Sequence, residues 1–449
     1  MSEASVPVRP RLGVIGTGYL GATHAVCMAE LGFEVLGLDV DEAKIATLAS
    51  GQVPFHEPGL PELLKAQLDA GRLNFTTSFE EIGAFADVLF ICVGTPQKKG
   101  EMAADLTYVD AAFAAVLPHL REGALLVGKS TVPAGTAERL AERVDAGVAD
   151  GTVAPGVELA WNPEFLREGF AVEDTLKPDR LVFGVRSERA EQVLRAAFAP
   201  VLDTGTPVVV TDFATAQLVK VAANAFLATK ISFINAMAEV CEATGGDVTM
   251  LSKALSYDSR IGGRFLHAGL GFGGGCLPKD IRAFMARAGE LGVDQALSFL
   301  KEVDAINLRR RARMVDLARE LCDGSFGGMR VAVLGAAFKP NSDDIRDSPA
   351  LDVASTIQRQ GAAVCVYDPA AMPNARVAYP HLGYRDSALA ACKGADLVLH
   401  LTEWAEFREL DLDTLGEVVS EKRIVDGRNA LDPVVWRAAG WTYRALGRP

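Results

Sequence analysis

The chain has 449 residues, and 45 lysines and arginines against 58 aspartates and glutamates leave a formal net charge of −13. This length suits about two to three domains with cores of their own, and 49% hydrophobic with 23% charged residues excludes a disordered chain. The acidic balance argues against broad nucleic-acid or anionic-membrane surfaces, and seven scattered cysteines with no CxxC or HExxH argue against a zinc site or a disulfide framework.

Residues 1–10, MSEASVPVRP, lack the apolar run of a signal peptide and read as a loose leader. No stretch approaches ~18–20 uninterrupted apolar residues, so no membrane partner is expected and the compartment is expected to be cytoplasmic. From Arg11, the apolar run RLGVIG breaks into glycines, YLGATHAVCMAELG carries helical spacing to Gly32, and FEVLGLDVD is a second strand ending in acids. This is the opening βαβ unit of a doubly wound sheet. Further strands are predicted at Val88–Val93, Ala124–Gly128, Val157–Trp161, Leu181–Val185 and Val208–Val210. From Asp212 to about Glu320 the chain turns Ala-rich and helical, and Thr215–Thr244 runs without Gly or Pro until Gly245 and Gly246 stop it. After the loop Asp323–Gly328, a strand at Met329–Leu334, a helix at 349–361 and a strand at Ala363–Tyr367 repeat the opening pattern without its full glycine signature. The predicted fold class is α/β: two Rossmann-like doubly wound domains, 11–211 and 323–449, joined by a helical region, 212–322.

Gly16, Gly18 and Gly21 form GxGxxG between a strand and a helix. The first permits the tight turn, the second lets backbone approach a pyrophosphate, and the third lets helix and strand pack closely. Asp39 ends the following strand, where a carboxylate can bind both ribose hydroxyls and repel a 2′-phosphate, so the expected cofactor is NAD.

Cys276 lies in GFGGGCLPKD, where glycines remove bulk around the sulfur and Lys279 and Asp280 follow. On residue type alone it reads as a reactive thiol or as a seventh core thiol; the others, such as Cys92 inside VLFICV, read as core. Lys220 and Asn224 are four apart on an apolar helix and share one face, which serves either solvation or a polar ligand. Glu164 and Glu168 in NPEFLREG leave the same choice between surface acids and a site.

Taken together, VIGTGYLG, FHEPGL, VGTP, STVPAGT, NPEFLREG, LVKVAANAFLATKISF, DSRIGGRFL, GFGGGCLPKD, AFKPNSDDIRDSPAL and DGRN resemble the UDP-glucose/GDP-mannose dehydrogenase family over nearly the whole chain. The resemblance implies an N-terminal NAD domain and a C-terminal nucleotide-sugar domain flanking a helical dimerisation core. It also implies a four-electron oxidation of a primary alcohol to a carboxylate, using two NAD and one water, through a thiohemiacetal and thioester on Cys276. Lys220 would stabilise the oxyanion, Asp280 and Thr131 would position water, Glu164 would act as general base for hydrolysis, and Asn224 would hydrogen-bond the sugar or the reacting centre. Lys220 and a water on Asp280 both remain candidates for taking the first alcohol proton. The cofactor positions implied are Gly16, Gly18, Tyr19, Gly21, Asp39, Lys44, Thr95, Thr131, Glu168 and Arg346. The substrate positions are Phe165, Leu166, Lys220, Asn224, Arg260, Gly273, Phe338, Lys339 and Arg428, with Arg260 reaching into the neighbouring subunit of a homodimer. His56 and His267 depart from the family pattern, and neither alters the chemistry. NPEFLREG and CLPKD fit the UDP-glucose and GDP-mannose enzymes better than those acting on N-acetylhexosamines, and UDP-glucose is the expected substrate. A silent nucleotide-sugar binder and a two-electron 3-hydroxyacid dehydrogenase are the alternatives; neither needs the combination of Cys276, Lys220, Glu164 and Asp280.

Overall fold

The computed structural model describes residues 9–449, so most of the expected leader lies outside the described residues. Within them, Pro10 is already buried and Arg9 donates to the Leu31 carbonyl at 3.1 Å. The chain divides into two compact units, one running to Ala223 and including Arg282–Leu291, the other comprising Asn224–Ile281 and Gly292–Pro449. The residues of the helical middle are thus divided between the two units.

The first unit is built on eight strands: β1 (Leu12–Ile15), β2 (Val35–Leu38), β3 (Leu73–Thr76), β4 (Val88–Ile91), β5 (Leu125–Gly128), β6 (Glu158–Trp161), β7 (Leu181–Gly184) and β8 (Val208–Thr211). They lie in the order β3-β2-β1-β4-β5-β6-β7-β8, every neighbouring pair parallel except β6 with β7. Strand side chains alternate faces, so Leu12, Val14, Val88 and Phe90 enter one core while Ile15, Leu89 and Ile91 enter the other. A sheet covered on both faces needs apolar runs rather than alternation, which is why VLFI and LLVG are buried throughout. The order reverses between β1 and β4, the crevice where such sheets take ligands.

The second unit carries β9 (Arg330–Leu334), β10 (Ala363–Tyr367), β11 (Gly383–Tyr384), β12 (Leu397–His400), β13 (Arg423–Asp426) and β14 (Thr442–Ala445). Their order, β11-β10-β9-β12-β13-β14, is all parallel and repeats that of the first six strands of the first sheet. Met314, Leu317 and Ala318 of the helix Phe299–Leu321 share its core with Val331, Val333 and Leu351. The long helix spans Phe213–Thr244, two residues earlier than its apolar pattern predicts, because Asp212 accepts the Thr215 N–H at 2.7 Å and so caps it. Glu242 near its end receives Arg310 at 2.9 Å, Arg313 at 2.7 Å and the Gly447 N–H at 3.0 Å, which ties down the C-terminal tail. This is the only helix among the described residues long and apolar enough to cross a membrane.

Candidate active site

At the C-terminal end of β1 the three fingerprint glycines have three different surroundings. Gly16 sits at φ +89°, a conformation that favours glycine. A Cβ on Gly18 would meet no heavy atom within 4 Å, whereas one on Gly21 would strike the Gly16 carbonyl and the Cys92 side chain. Gly18 therefore leaves open space at the start of the helix Tyr19–Glu30, and Gly21 closes helix onto strand. Asp39, just past β2, accepts the Thr17 N–H at 2.9 Å and the Lys44 ammonium at 2.9 Å on one oxygen, and only the Asp41 N–H at 3.2 Å on the other. Burial pushes its carboxyl up, but Lys44 and the two N–H groups prevail and hold it below the usual carboxylate range. The loops after β4 and β5 are latched together: Thr95 donates to the Thr131 carbonyl at 2.8 Å, and Ser130 donates to the Val93 carbonyl at 2.7 Å.

The loop after β6 carries Glu164. One of its oxygens accepts the Phe165 and Leu166 N–H groups at 2.7 and 3.0 Å, and the other lies 3.1 Å from the Lys129 ammonium. Lys220, from the long helix, stands 5.6 Å from the centre of the Phe165 ring, and Arg180 covers that ring at 3.8 Å. Tyr19 is not aimed outward: its hydroxyl bonds Glu57 and accepts the Gly169 N–H at 2.9 Å. Glu57 is buried and takes the Gly169 and Ala171 N–H groups at 2.7 Å each, which fixes the turn that follows Glu168. Burial and the adjacent Glu57 push the Tyr19 phenol far above its ordinary value, so it stays neutral.

In the second unit, Cys276 is the one exposed thiol of the seven. Its carbonyl accepts the Asp280 N–H at 2.9 Å, so it caps the N-terminus of the helix Leu277–Glu290. The other six thiols are pushed up by burial, Cys27, Cys92 and Cys392 to about 12. The glycines before Cys276 admit their neighbours at van der Waals range: a Cβ on Gly274 would hit the Phe338 ring, one on Gly273 the Asp347 carbonyl, and one on Gly275 the Arg346 guanidinium. Asp280 is 2% exposed and is held by Lys279 at 2.6 Å and by Asn224 at 2.7 Å. Arg428 spends its guanidinium on the carbonyls of Leu401, Gly271 and Phe338 at 2.7, 2.9 and 3.1 Å, bracing the cysteine loop against the C-terminal sheet. Lys339 lies 5.3 Å from the Phe338 ring centre, and Arg260 projects 87% exposed beside Asp258.

Comparison with known proteins bears on this arrangement. Family models described as the NAD binding, central and UDP binding domains of the UDP-glucose/GDP-mannose dehydrogenase family match residues 10–202, 214–309 and 332–433. The chain belongs to that family. A UDP-glucose 6-dehydrogenase of Pseudomonas aeruginosa is 41% identical over 98% of both chains. A solved UDP-glucose dehydrogenase from Pyrobaculum islandicum matches all of both chains with a TM-score of 0.89 and 38% identity. A solved GDP-mannose dehydrogenase from Pseudomonas aeruginosa is more distant, at 25% identity and a TM-score of 0.53 over 97% of this chain and 99% of that one.

As a member of this family the chain uses NAD, and its residues fit that group. The open space over Gly18, the N-terminus of the first helix and the under-used oxygen of Asp39 are the donors and acceptors that a pyrophosphate and a ribose require. Sequence reading missed Lys129, Asn162, Glu57 and Arg180. For Lys129 there was a signal: a charge standing directly after the apolar strand LLVG. Asn307 was invisible to it, since it sits inside a helix yet accepts the Phe272 N–H at 2.7 Å and donates to the Phe272 carbonyl at 2.9 Å.

Proposed function

We propose that this chain oxidises UDP-glucose to UDP-glucuronate with two NAD and one water. The observation that carries the reading is Cys276, an exposed thiol capping a helix N-terminus in a glycine loop, beside the pair of Asp280 and Asn224. Bound NAD supplies the hydride acceptor for both oxidations. The Cys276 thiolate adds to carbon 6 of the aldehyde, and the carbonyl electron pair moves to oxygen, where the Lys220 ammonium stabilises it. The same sulfur holds the sugar at the thioester level, and water then releases the acid. Glu164 takes the proton of that water, and Asp280 and Thr131 orient it. Thiol chemistry is what carries the reaction past the aldehyde, since sulfur adds readily and is readily displaced.

On the nucleotide side, Phe165, Leu166, Gly273, Phe338 and Lys339 form the sugar-nucleotide site, with Arg428 bracing its loop and Lys339 offsetting phosphate charge in an acidic protein. Arg346 and Glu168 complete the cofactor contacts. The chain works as a cytoplasmic homodimer with Arg260 contributed to the partner's site. Phe226, Phe233 and Val240, spaced seven apart on the long helix, are 67%, 48% and 53% exposed, the apolar stripe such an interface needs. Seven scattered cysteines, an odd number, suit a reducing compartment.

The test is the yield of NADH per sugar nucleotide. Two equivalents from UDP-glucose, with UDP-glucuronate as product, support the reading. One equivalent points to a simple dehydrogenase, none to a binder, and faster turnover of GDP-mannose to a different substrate; each overturns it.

A further inference from the structure

Lys129 is a charged residue in the floor of the first unit, and the reaction outlined above gives it no role. It stands one residue past β5, with its side chain 3% exposed. Its ammonium lies 5.8 and 5.7 Å from the ring centres of Phe90 and Phe198. His24, buried nearby with neither ring nitrogen hydrogen-bonded, is kept neutral by burial and by the Lys129 charge. A buried ammonium is tolerated only when paired, and this one donates to Asn162 Oδ1 at 2.9 Å and faces Glu164 Oε2 at 3.1 Å. Asn162 is itself locked, donating to the Val182 carbonyl at 3.0 Å.

The consequence falls on Glu164. A carboxylate offers about four acceptor directions. Both on Oε1 are taken by the Phe165 and Leu166 N–H groups, while Oε2 carries the ion pair with Lys129 at 3.1 Å. Oε2 is the oxygen left to receive a proton.

We propose that Lys129 is a positioning residue for thioester hydrolysis: by its ion pair, together with the two backbone N–H groups, it fixes the Glu164 carboxylate so that Oε2 is the oxygen left to receive a proton from water. This rests on Glu164 being the base for that step. In it, the water oxygen bonds to the acyl carbon as its proton passes to Glu164 Oε2. The C–S bond then breaks, and the electron pair leaves on the Cys276 sulfur. No oxidant is consumed. Lys129 neither gives nor takes a proton; it keeps the acceptor aimed, and a misaimed base loses on the order of a hundredfold.

The experiment compares Lys129→Met, Lys129→Arg, Glu164→Gln and the double variant Lys129→Met/Glu164→Gln in the full-length enzyme. Reactions turning over UDP-glucose are acid-quenched, and the fraction of chains carrying an acyl group is read by intact-protein mass. Lys129→Met is expected to lower kcat about 10–100-fold with the KM for UDP-glucose within about threefold, and to raise the acyl-enzyme fraction. Lys129→Arg is expected to recover at least about tenfold of that loss, and the double variant to be no more than about threefold slower than Glu164→Gln alone, because both act through one carboxylate. If Lys129→Met does not fold, Asn162→Leu keeps the charge and removes its second anchor, and is expected to show the same acyl-enzyme rise with a smaller loss of kcat. Losses that multiply in the double variant, or an acyl-enzyme fraction unmoved by Lys129→Met and Asn162→Leu while Glu164→Gln raises it, overturn the role of Lys129 alone. An acyl-enzyme fraction unmoved by Glu164→Gln overturns the base reading itself.

Discussion

Alanine at Gly18 and alanine at Gly21 add the same methyl group three residues apart, and the two surroundings predict opposite outcomes. Gly18 has φ −69° and ψ −166°, which alanine adopts without strain, and its new methyl would touch nothing within 4 Å. A small gain from restricting the unfolded chain offsets the small loss from replacing glycine at a helix N-cap, so stability should stay within about 1 kcal/mol. The methyl at Gly21 meets backbone instead: the carbonyl of Gly16, whose own N–H is fixed to the Leu38 carbonyl at 2.8 Å, and the Cys92 side chain next to β4. Strand and helix must separate, and overpacking of this kind costs roughly 2–3 kcal/mol. For a unit of this size that converts to a melting point lower by about 5–10 °C, against about 3 °C or less for Gly18→Ala. NAD affinity should behave the other way for Gly18→Ala, which stays folded yet fills the space a pyrophosphate needs and should weaken binding more than about tenfold. Thermal melts followed by fluorescence, with NAD titrations on the same samples, measure both quantities. A Gly18→Ala protein that melts as low as Gly21→Ala, or that binds NAD like wild type, would refute the assignment of these glycines.

Four further outcomes follow from the same geometry. Cys276→Ser should abolish net formation of UDP-glucuronate, because an alkoxide adduct is harder to form and its ester harder to resolve; steady-state turnover near wild type, measured by NADH absorbance, would remove the covalent mechanism. Asp39→Asn should cut kcat/KM for NAD about 10–100-fold by weakening a charged hydrogen bond to ribose, while narrowing the preference over NADP, since Lys44 remains and the repelling charge is gone; an unchanged NAD/NADP ratio counts against the assignment. Burial raises the Glu242 carboxyl, yet Arg313 and Arg310 outweigh it and leave the folded-state value lowered. The stability contributed is therefore full above the unfolded value of about 4.3 and is lost as pH falls through the folded value, so the melting-point gap between wild type and Glu242→Gln should be wide at pH 6 and shrink at pH 3. If the chain dimerises through the exposed stripe on the long helix, as proposed, Phe233→Arg should shift it towards monomer in sedimentation experiments, and a dimer of undiminished strength would place the interface elsewhere.

Strands buried on both faces are legible because they are apolar runs with hard stops, and Ala363–Tyr367 was placed to the residue. β3 and β11–β14 were not. LNFT and GY are too short or too polar to stand out, and LVLH, RIVD and TYRA follow mixed segments in which helix and strand periods compete. For the site, residues set by backbone chemistry were readable, since a glycine fingerprint and a cysteine among glycines announce themselves. Residues acting through long-range partners were not: Glu57 and Gly169 are 112 positions apart and Lys129 and Asn162 are 33 apart, so even where a charge follows an apolar strand, as Lys129 does, its partner is not legible locally. The roles proposed for Lys339, Arg260 and Arg428 come from resemblance to the family; spacing alone leaves them as ordinary cations.

The two sheets repeat one strand order, yet only one keeps a dinucleotide cradle, and their equivalent acids explain why. Asp39 ends the second strand of the first sheet with one oxygen taken by Thr17 and Lys44 and the other by a single long bond from Asp41. Asp368 ends the corresponding strand of the second sheet and is 1% exposed. Its Oδ2 accepts the Ala336 and Ala337 N–H groups at 2.7 and 2.9 Å and the Trp404 indole at 3.1 Å; its Oδ1 accepts the Ala370 and Ala371 N–H groups at 3.0 and 2.8 Å. Five donors exhaust a carboxylate, and the N–H groups after β9 that would otherwise face a phosphate are spent on it. The turn is closed as well, since a Cβ on Gly335 would run into Thr402. The turn after β9 has thus directed its N–H groups inward, and beside it Arg428, Phe338 and Asp347 pack against the loop that ends in Cys276. In the mechanism proposed above one sugar carbon stays bonded to one sulfur through two oxidation levels, which needs that sulfur held in place, and an acid with five donors beneath the turn after β9 anchors the wall it rests on.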